Sequence, residues 1–156
     1  MRRLGMAVAV STIGVVGLLG GAVKASPGSG VTSAILAKGS LGERVKIRTR
    51  GTSDLVFQEV DLAPGGFTGW HTHPGPLLVA VQTGTLTHLD AQCHVQTYAA
   101  GQAFIEPAGK EHVHMGQNLG EVPVQLYVTY VLPEGSPLRD ESPPPACAEL
   151  SDSAPR

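Results

Sequence analysis

From about position 44 onward, apolar and polar residues alternate in short runs, and Gly- or Pro-bearing turns break each run before an amphipathic helix can develop. The runs cover 44–48, 55–62, 77–82, 85–89, 103–106 and 122–132. Residues two apart share one face of a strand, so these runs predict half-buried strands, and their spacing predicts an all-β barrel or sandwich. Ala63-Pro64-Gly65-Gly66, Gln82-Thr83-Gly84-Thr85 and Pro107-Ala108-Gly109-Lys110 supply turns in which Gly takes positive φ. The predicted organisation is a targeting segment over 1–25, a lead-in strand over 26–41, a barrel over 42–133 and a Pro-rich tail over 134–156.

Length and composition agree with one small β domain. The chain has 156 residues with 20 Gly and 12 Pro, and only 15% of its residues are charged, which disfavours a helical bundle and leaves no room for a separate cofactor domain. Arg2 and Arg3 precede an uncharged stretch over 4–23, and Val23-Lys24-Ala25 offers small residues where a signal peptidase reads, so cleavage is expected after Ala25. The expected destination is secreted or extracytoplasmic, with no stable membrane contact afterwards; a retained N-terminal membrane anchor is the alternative. Removing Arg2, Arg3 and Lys24 leaves 8 of the 11 basic residues against 13 acidic ones. That acidic balance argues against a nucleic-acid partner.

Secretion changes the reading of Cys93 and Cys147, the only two cysteines. In an oxidising compartment the expected state is a Cys93–Cys147 disulfide, with two free thiols as the alternative. Such a bridge tethers a tail that is otherwise too polar and Pro-rich to order itself, and closing so long a loop contributes roughly 4 kcal/mol in the chain-entropy model.

The chemistry concentrates in histidine. All 6 His fall between His71 and His114, and four of them form two His-x-His pairs, His71 with His73 and His112 with His114. On strands each pair aims two imidazoles at one side, and two neighbouring strands make four nitrogens converge. Imidazole binds Zn, Cu, Ni and Fe, so the pattern predicts one divalent transition metal (Zn, Cu, Ni, Mn or Fe) inside the barrel. Leu77, Val79 and Val81 are expected to form an apolar wall beside it.

Gly66-Phe67-Thr68-Gly69-Trp70-His71-Thr72-His73 with Gly84, followed by Gly101, Pro107, Gly109 and His112, resembles the two motifs of the cupins in their usual order. The resemblance covers about 42–133 and is closest to secreted single-domain cupins of uncharacterised activity. It implies a double-stranded β-helix, or jelly-roll barrel, with an interior metal, and a possible homodimer. Two departures stand out. The first motif of cupins carries a Glu ligand where this chain has Leu77. In the second motif, spacing from Pro107 selects His112 as the ligand, whereas spacing to Asn118 selects His114. Parity allows both to face inward, one taking the space of the missing carboxylate, which predicts an all-imidazole site of His71, His73 and one or both of His112 and His114.

Other polar residues carry weaker signals. Glu106 ends a strand before the Pro107 turn and is expected to be solvated, with a role at the site as ligand or acid/base as the alternative, and His88 and His94 flank a turn and are expected to be exposed. Trp70 is expected to pack away from the metal, while Tyr127 and Tyr130 lie on opposite faces so that only one lines the cavity. Three functions compete on this basis: a metal-dependent dioxygenase, isomerase or lyase acting on a small molecule; a small-ligand binding or sensing barrel; and a barrel merely stiffened by its metal.

Overall fold

A computed structural model describes residues 29–148; the expected signal segment over 1–25 lies outside them. The chain divides into two units, Met1–Ser33 and Ala34–Arg156. Of the first, the described residues 29–33 contain only a bend. Among the described residues, the second carries ten strands in two five-stranded sheets, the all-β architecture that the alternating runs predict.

The first sheet is built from β1 (Ser40–Leu41), β2 (Ser53–Leu62), β4 (Leu77–Thr83), β7 (Gln102–Glu106) and β9 (Val124–Pro133), in the order β1-β7-β4-β9-β2. The second contains β3 (His71–Thr72), β5 (Thr85–Asp90), β6 (Val95–Ala99), β8 (His114–Gln117) and β10 (Asp140–Glu141), in the order β10-β3-β8-β5-β6. All pairs are antiparallel except β1 with β7.

Period-two burial decides which face turns inward. In β9, Val124, Leu126, Val128, Tyr130 and Leu132 are buried while the residues between them are partly exposed. Leu77, Val79 and Val81 of β4 join them, with Leu62, Leu86 and Phe104. Each such Leu or Val contributes about 1.5–3 kcal/mol of burial. Gly84 turns β4 into β5 at φ +72, a conformation that costs other residues because their Cβ collides with the backbone. Gly75 is required for a different reason: a Cβ there would run into the Val131 carbonyl of β9, so glycine lets the segment after His73 lie against that strand.

Several expectations need correction. The run 44–48 forms no strand and is exposed, since alternation supplies an amphipathic face but not a neighbour to pair with. Of the described part of the lead-in, only Ser40 and Leu41 form a strand. Beyond the barrel strands, the tail adds β10 to the edge of the second sheet, with Asp140 opposite Thr72 and Glu141 opposite His71. Cys93 and Cys147 are bridged, with Cα atoms 6.1 Å apart. The Asp90 carboxylate organises the turn that presents Cys93 by accepting hydrogen bonds from the amides of Gln92 and His94 at 2.8 and 2.9 Å. Among the described residues, no helix is long and apolar enough to cross a membrane.

Candidate metal centre

Three imidazoles meet between the two sheets. His71 in β3 stands directly opposite His114 in β8, and His73, one residue past the end of β3, brings its ring centroid to 4.9 Å from His71 and 5.1 Å from His114. All three are buried, and one ring nitrogen from each lies within 4.8 Å of the others.

The backbone fixes the rings. Nδ1 of His71 donates to the Gly69 carbonyl at 2.8 Å, Nδ1 of His73 to Leu138 at 2.7 Å and Nδ1 of His114 to His112 at 2.8 Å. A neutral ring that donates from Nδ1 carries its lone pair on Nε2. The second ring nitrogen of a metal-binding His is commonly anchored in this way.

A carboxylate stands beside two of those lone pairs. Glu106 Oε2 lies 3.1 Å from His73 Nε2 and 3.3 Å from His114 Nε2, yet neither nitrogen, though buried, has the alignment of a hydrogen bond to any partner among the described residues. Lone pairs held this close to a carboxylate repel unless a proton or a cation lies between them. The donor set therefore fits a divalent transition metal, and it is three nitrogens and one oxygen rather than four imidazoles.

Glu106 is buried, not solvated at a strand end, because in β7 it pairs directly with Leu77 of β4. Residues opposite each other in an antiparallel pair share a face. The carboxylate is thus delivered one strand away from Leu77, the position at which the resemblance implied a Glu. His112 is not in the cluster: its side chain is 44% exposed and its Nε2 lies 3.7 Å from Glu111. It sits in the turn before β8, where its amide donates to the Gly109 carbonyl at 3.1 Å, so strand parity does not apply to it. His114 is the inward member of the pair. His88 also departs from expectation: it shares a face of β5 with buried Leu86, stacks on the His114 ring at 5.1 Å and places Nε2 3.5 Å from Glu106 Oε1. Its distance of two from Leu86 was the signal available in the sequence. His94 is exposed, as expected, and pairs with Asp90 at 3.0 Å.

Burial pushes the His71 imidazole down to about 4, against the lift from its hydrogen bond to Gly69, and keeps the ring neutral. Burial alone would raise the Glu106 carboxyl, but the rings of His114, His73 and His88 around it hold it well below the usual carboxylate range. In turn, Glu106 outweighs the burial of His114 and lifts that imidazole above its ordinary value. Tyr130, not Tyr127, lines the interior, and burial, then the Glu106 charge, push its phenol up to about 12.

A cavity of about 400 Å³ opens beside the cluster. Leu77, Val79, Leu86 and Val128 supply apolar wall, and Tyr130 and Arg139 supply polar groups. Val81 is buried in the core alongside it.

Residues 58–130 match the family described as Cupin domain, and that stretch of the chain is a cupin domain. A DMSP lyase crystal structure superposes with a TM-score of 0.50 at 21% identity, covering 57% of this chain and 44% of that one; this chain therefore spans under half of that protein. An uncharacterised protein with a double-stranded β-helix domain from Klebsiella pneumoniae gives a TM-score of 0.49 at 24% identity, covering 60% of this chain and 75% of that one. A conserved protein of unknown function from Streptococcus pyogenes gives 0.46 at 26% identity, covering 53% and 68%. No curated protein matches the chain.

Proposed function

We propose that this protein is a metal-dependent cupin enzyme acting on a small molecule, with His71, His73, His114 and Glu106 holding one divalent ion (Zn, Cu, Ni, Mn or Fe). The observation that carries the reading is the pair of backbone-anchored imidazoles, His73 and His114, whose buried Nε2 atoms face the Glu106 carboxylate with no hydrogen-bond partner among the described residues, with a ring nitrogen of His71 within 4.8 Å of theirs. When bound, such an ion supplies a Lewis acid and a coordination position for a substrate oxygen or water. The chain's own groups do the rest. Leu77, Val79, Leu86 and Val128 exclude water and hold an apolar body. Tyr130, kept protonated by its raised pKa, donates its hydroxyl hydrogen to Gln58 Oε1 at 2.6 Å, fixing the polar end of the cavity.

The apolar wall favours a second reading, a ligand-binding or sensing barrel without turnover. Metal analysis of the purified chain tests the shared premise: about one ion per chain is expected, and His73→Ala should lose it on dialysis. A wild type that binds none of Zn, Cu, Ni, Mn or Fe after refolding overturns both readings. Azide added to the Co form then asks whether a coordination position is open, as an enzyme requires.

We also propose that the chain is exported with cleavage after Ala25. The charge-then-apolar pattern over 1–25 and the Cys93–Cys147 bridge support this reading. N-terminal sequencing of exported protein should begin at Ser26, and retention of Met1 in membranes would refute cleavage.

A further inference from the structure

The cavity wall is mostly apolar, and one permanently charged side chain reaches it from the far end of the sequence. Arg139 lies between β9 and β10 and lines the cavity with Tyr130 and Gln58. Its guanidinium is held in place: Nη1 donates to the Thr68 carbonyl at 2.9 Å, Nε donates to Glu141 Oε1 at 2.8 Å, and Nη2 reaches the same carboxylate oxygen. A guanidinium carries five N–H donors, so these contacts leave one N–H on each terminal nitrogen for another acceptor. Its charge is felt inside, where it opposes the upward shift of the Tyr130 phenol.

Two features of this arrangement point to a ligand of defined chemistry. A planar fork with free N–H groups on both terminal nitrogens matches the two oxygens of a carboxylate. The Leu and Val side chains beyond it match a short hydrocarbon body and offer nothing to a strongly polar one. Glu141 approaches the guanidinium from outside the cavity lining, so it positions the fork while neutralising part of its charge.

We infer that the cavity takes a small organic carboxylate with an apolar body, that Arg139 selects its charge, and that Glu141 sets how strongly Arg139 does so. This rests on the cavity being the ligand site proposed above. It distinguishes Arg139 from a residue that merely pins the tail to Thr68, because the two roles give different signs when the partner Glu141 is neutralised.

Calorimetric titration of the zinc-loaded full chain with butyrate and with its neutral counterpart butyramide tests the inference. R139Q should weaken butyrate about tenfold and leave butyramide unchanged, with R139K in between. E141Q should tighten butyrate about threefold, because the guanidinium then keeps its whole charge for the ligand. Butyrate binding indifferent to R139Q overturns the inference, as does weakening of both ligands alike by R139Q and E141Q, which is the signature of a purely structural tie. The wild-type and R139Q contrast is read again without zinc. Failure of the wild type to bind zinc would sink the metal reading, while the contrast without zinc would still decide the role of Arg139.

Discussion

The backbone carbonyl of Leu138 accepts the Nδ1 hydrogen of His73 at 2.7 Å across 65 residues of sequence. The orientation of one ring at the centre therefore depends on a segment outside the barrel strands. Ending the chain at Pro137 should weaken metal retention about 10- to 100-fold, the usual cost of losing such an anchor. Competition against a chromophoric chelator reads the loss. C147S, which keeps Leu138, should show a smaller effect, and equal affinities for the truncated and full chains would count against the anchor.

The two candidate registers of the second His pair make opposite predictions. His114→Ala should lose the ion on dialysis, and Glu106→Gln should weaken binding at least tenfold, because the charged donor is replaced by a neutral amide. His112→Ala should bind as the wild type does. Retained metal in His114→Ala, measured by mass spectrometry of the intact protein, would reverse the assignment.

Acid should act on His71 with a definite sign. Its pKa falls from 6.5 to about 4 in the folded chain, so between those values the unfolded chain binds a proton that the folded one refuses. Its contribution to stability is complete above about 6.5 and is lost as pH falls towards about 4, by up to about 3 kcal/mol. Urea unfolding of metal-free wild type and His71→Asn should show the wild type losing ground to the variant across that window. A constant gap from pH 7 to pH 4 would contradict the buried, neutral ring.

Asn118 serves structure, not coordination. Fully buried, it donates to the Leu62 and Val122 carbonyls at 2.9 Å each and accepts the Gly120 amide at 3.0 Å. Asn118→Ala leaves buried backbone groups unpaired and should cost about 2–4 kcal/mol, seen as a lower urea midpoint. Its zinc stoichiometry should stay that of the wild type, and loss of the ion without loss of stability would give Asn118 a different role.

Much of this was legible in the sequence, for reasons that also mark where legibility ends. The alternating runs 77–82 and 122–132 read directly as β4 and β9 because period-two burial is a local property. His71 and His73 were legible from their spacing of two, although β3 itself ends at Thr72 and the loop after it keeps the His73 ring on the same side. Glu106 was not, because what brings it inward is the pairing of Leu77 with Glu106 across two strands, and register between distant strands leaves no mark within either one. His112 was overvalued since the parity rule holds only inside a strand, and β8 begins at His114. The tail read as a tethered appendage, and only its pairing with β3 shows it to be part of a sheet.

That pairing also sets an order of events in time. A ribosome releases this chain from its N-terminus, so His71, His73, Glu106 and His114 are all exposed to solvent before Leu138 and the strand that follows it have emerged. The ring of His73 can reach its anchor only once Leu138 has been made, and Cys147, which bridges to Cys93, comes later still. Maturation of the proposed centre is therefore coupled to the arrival of the segment that carries Leu138, and an ion acquired earlier would meet a less firmly held His73.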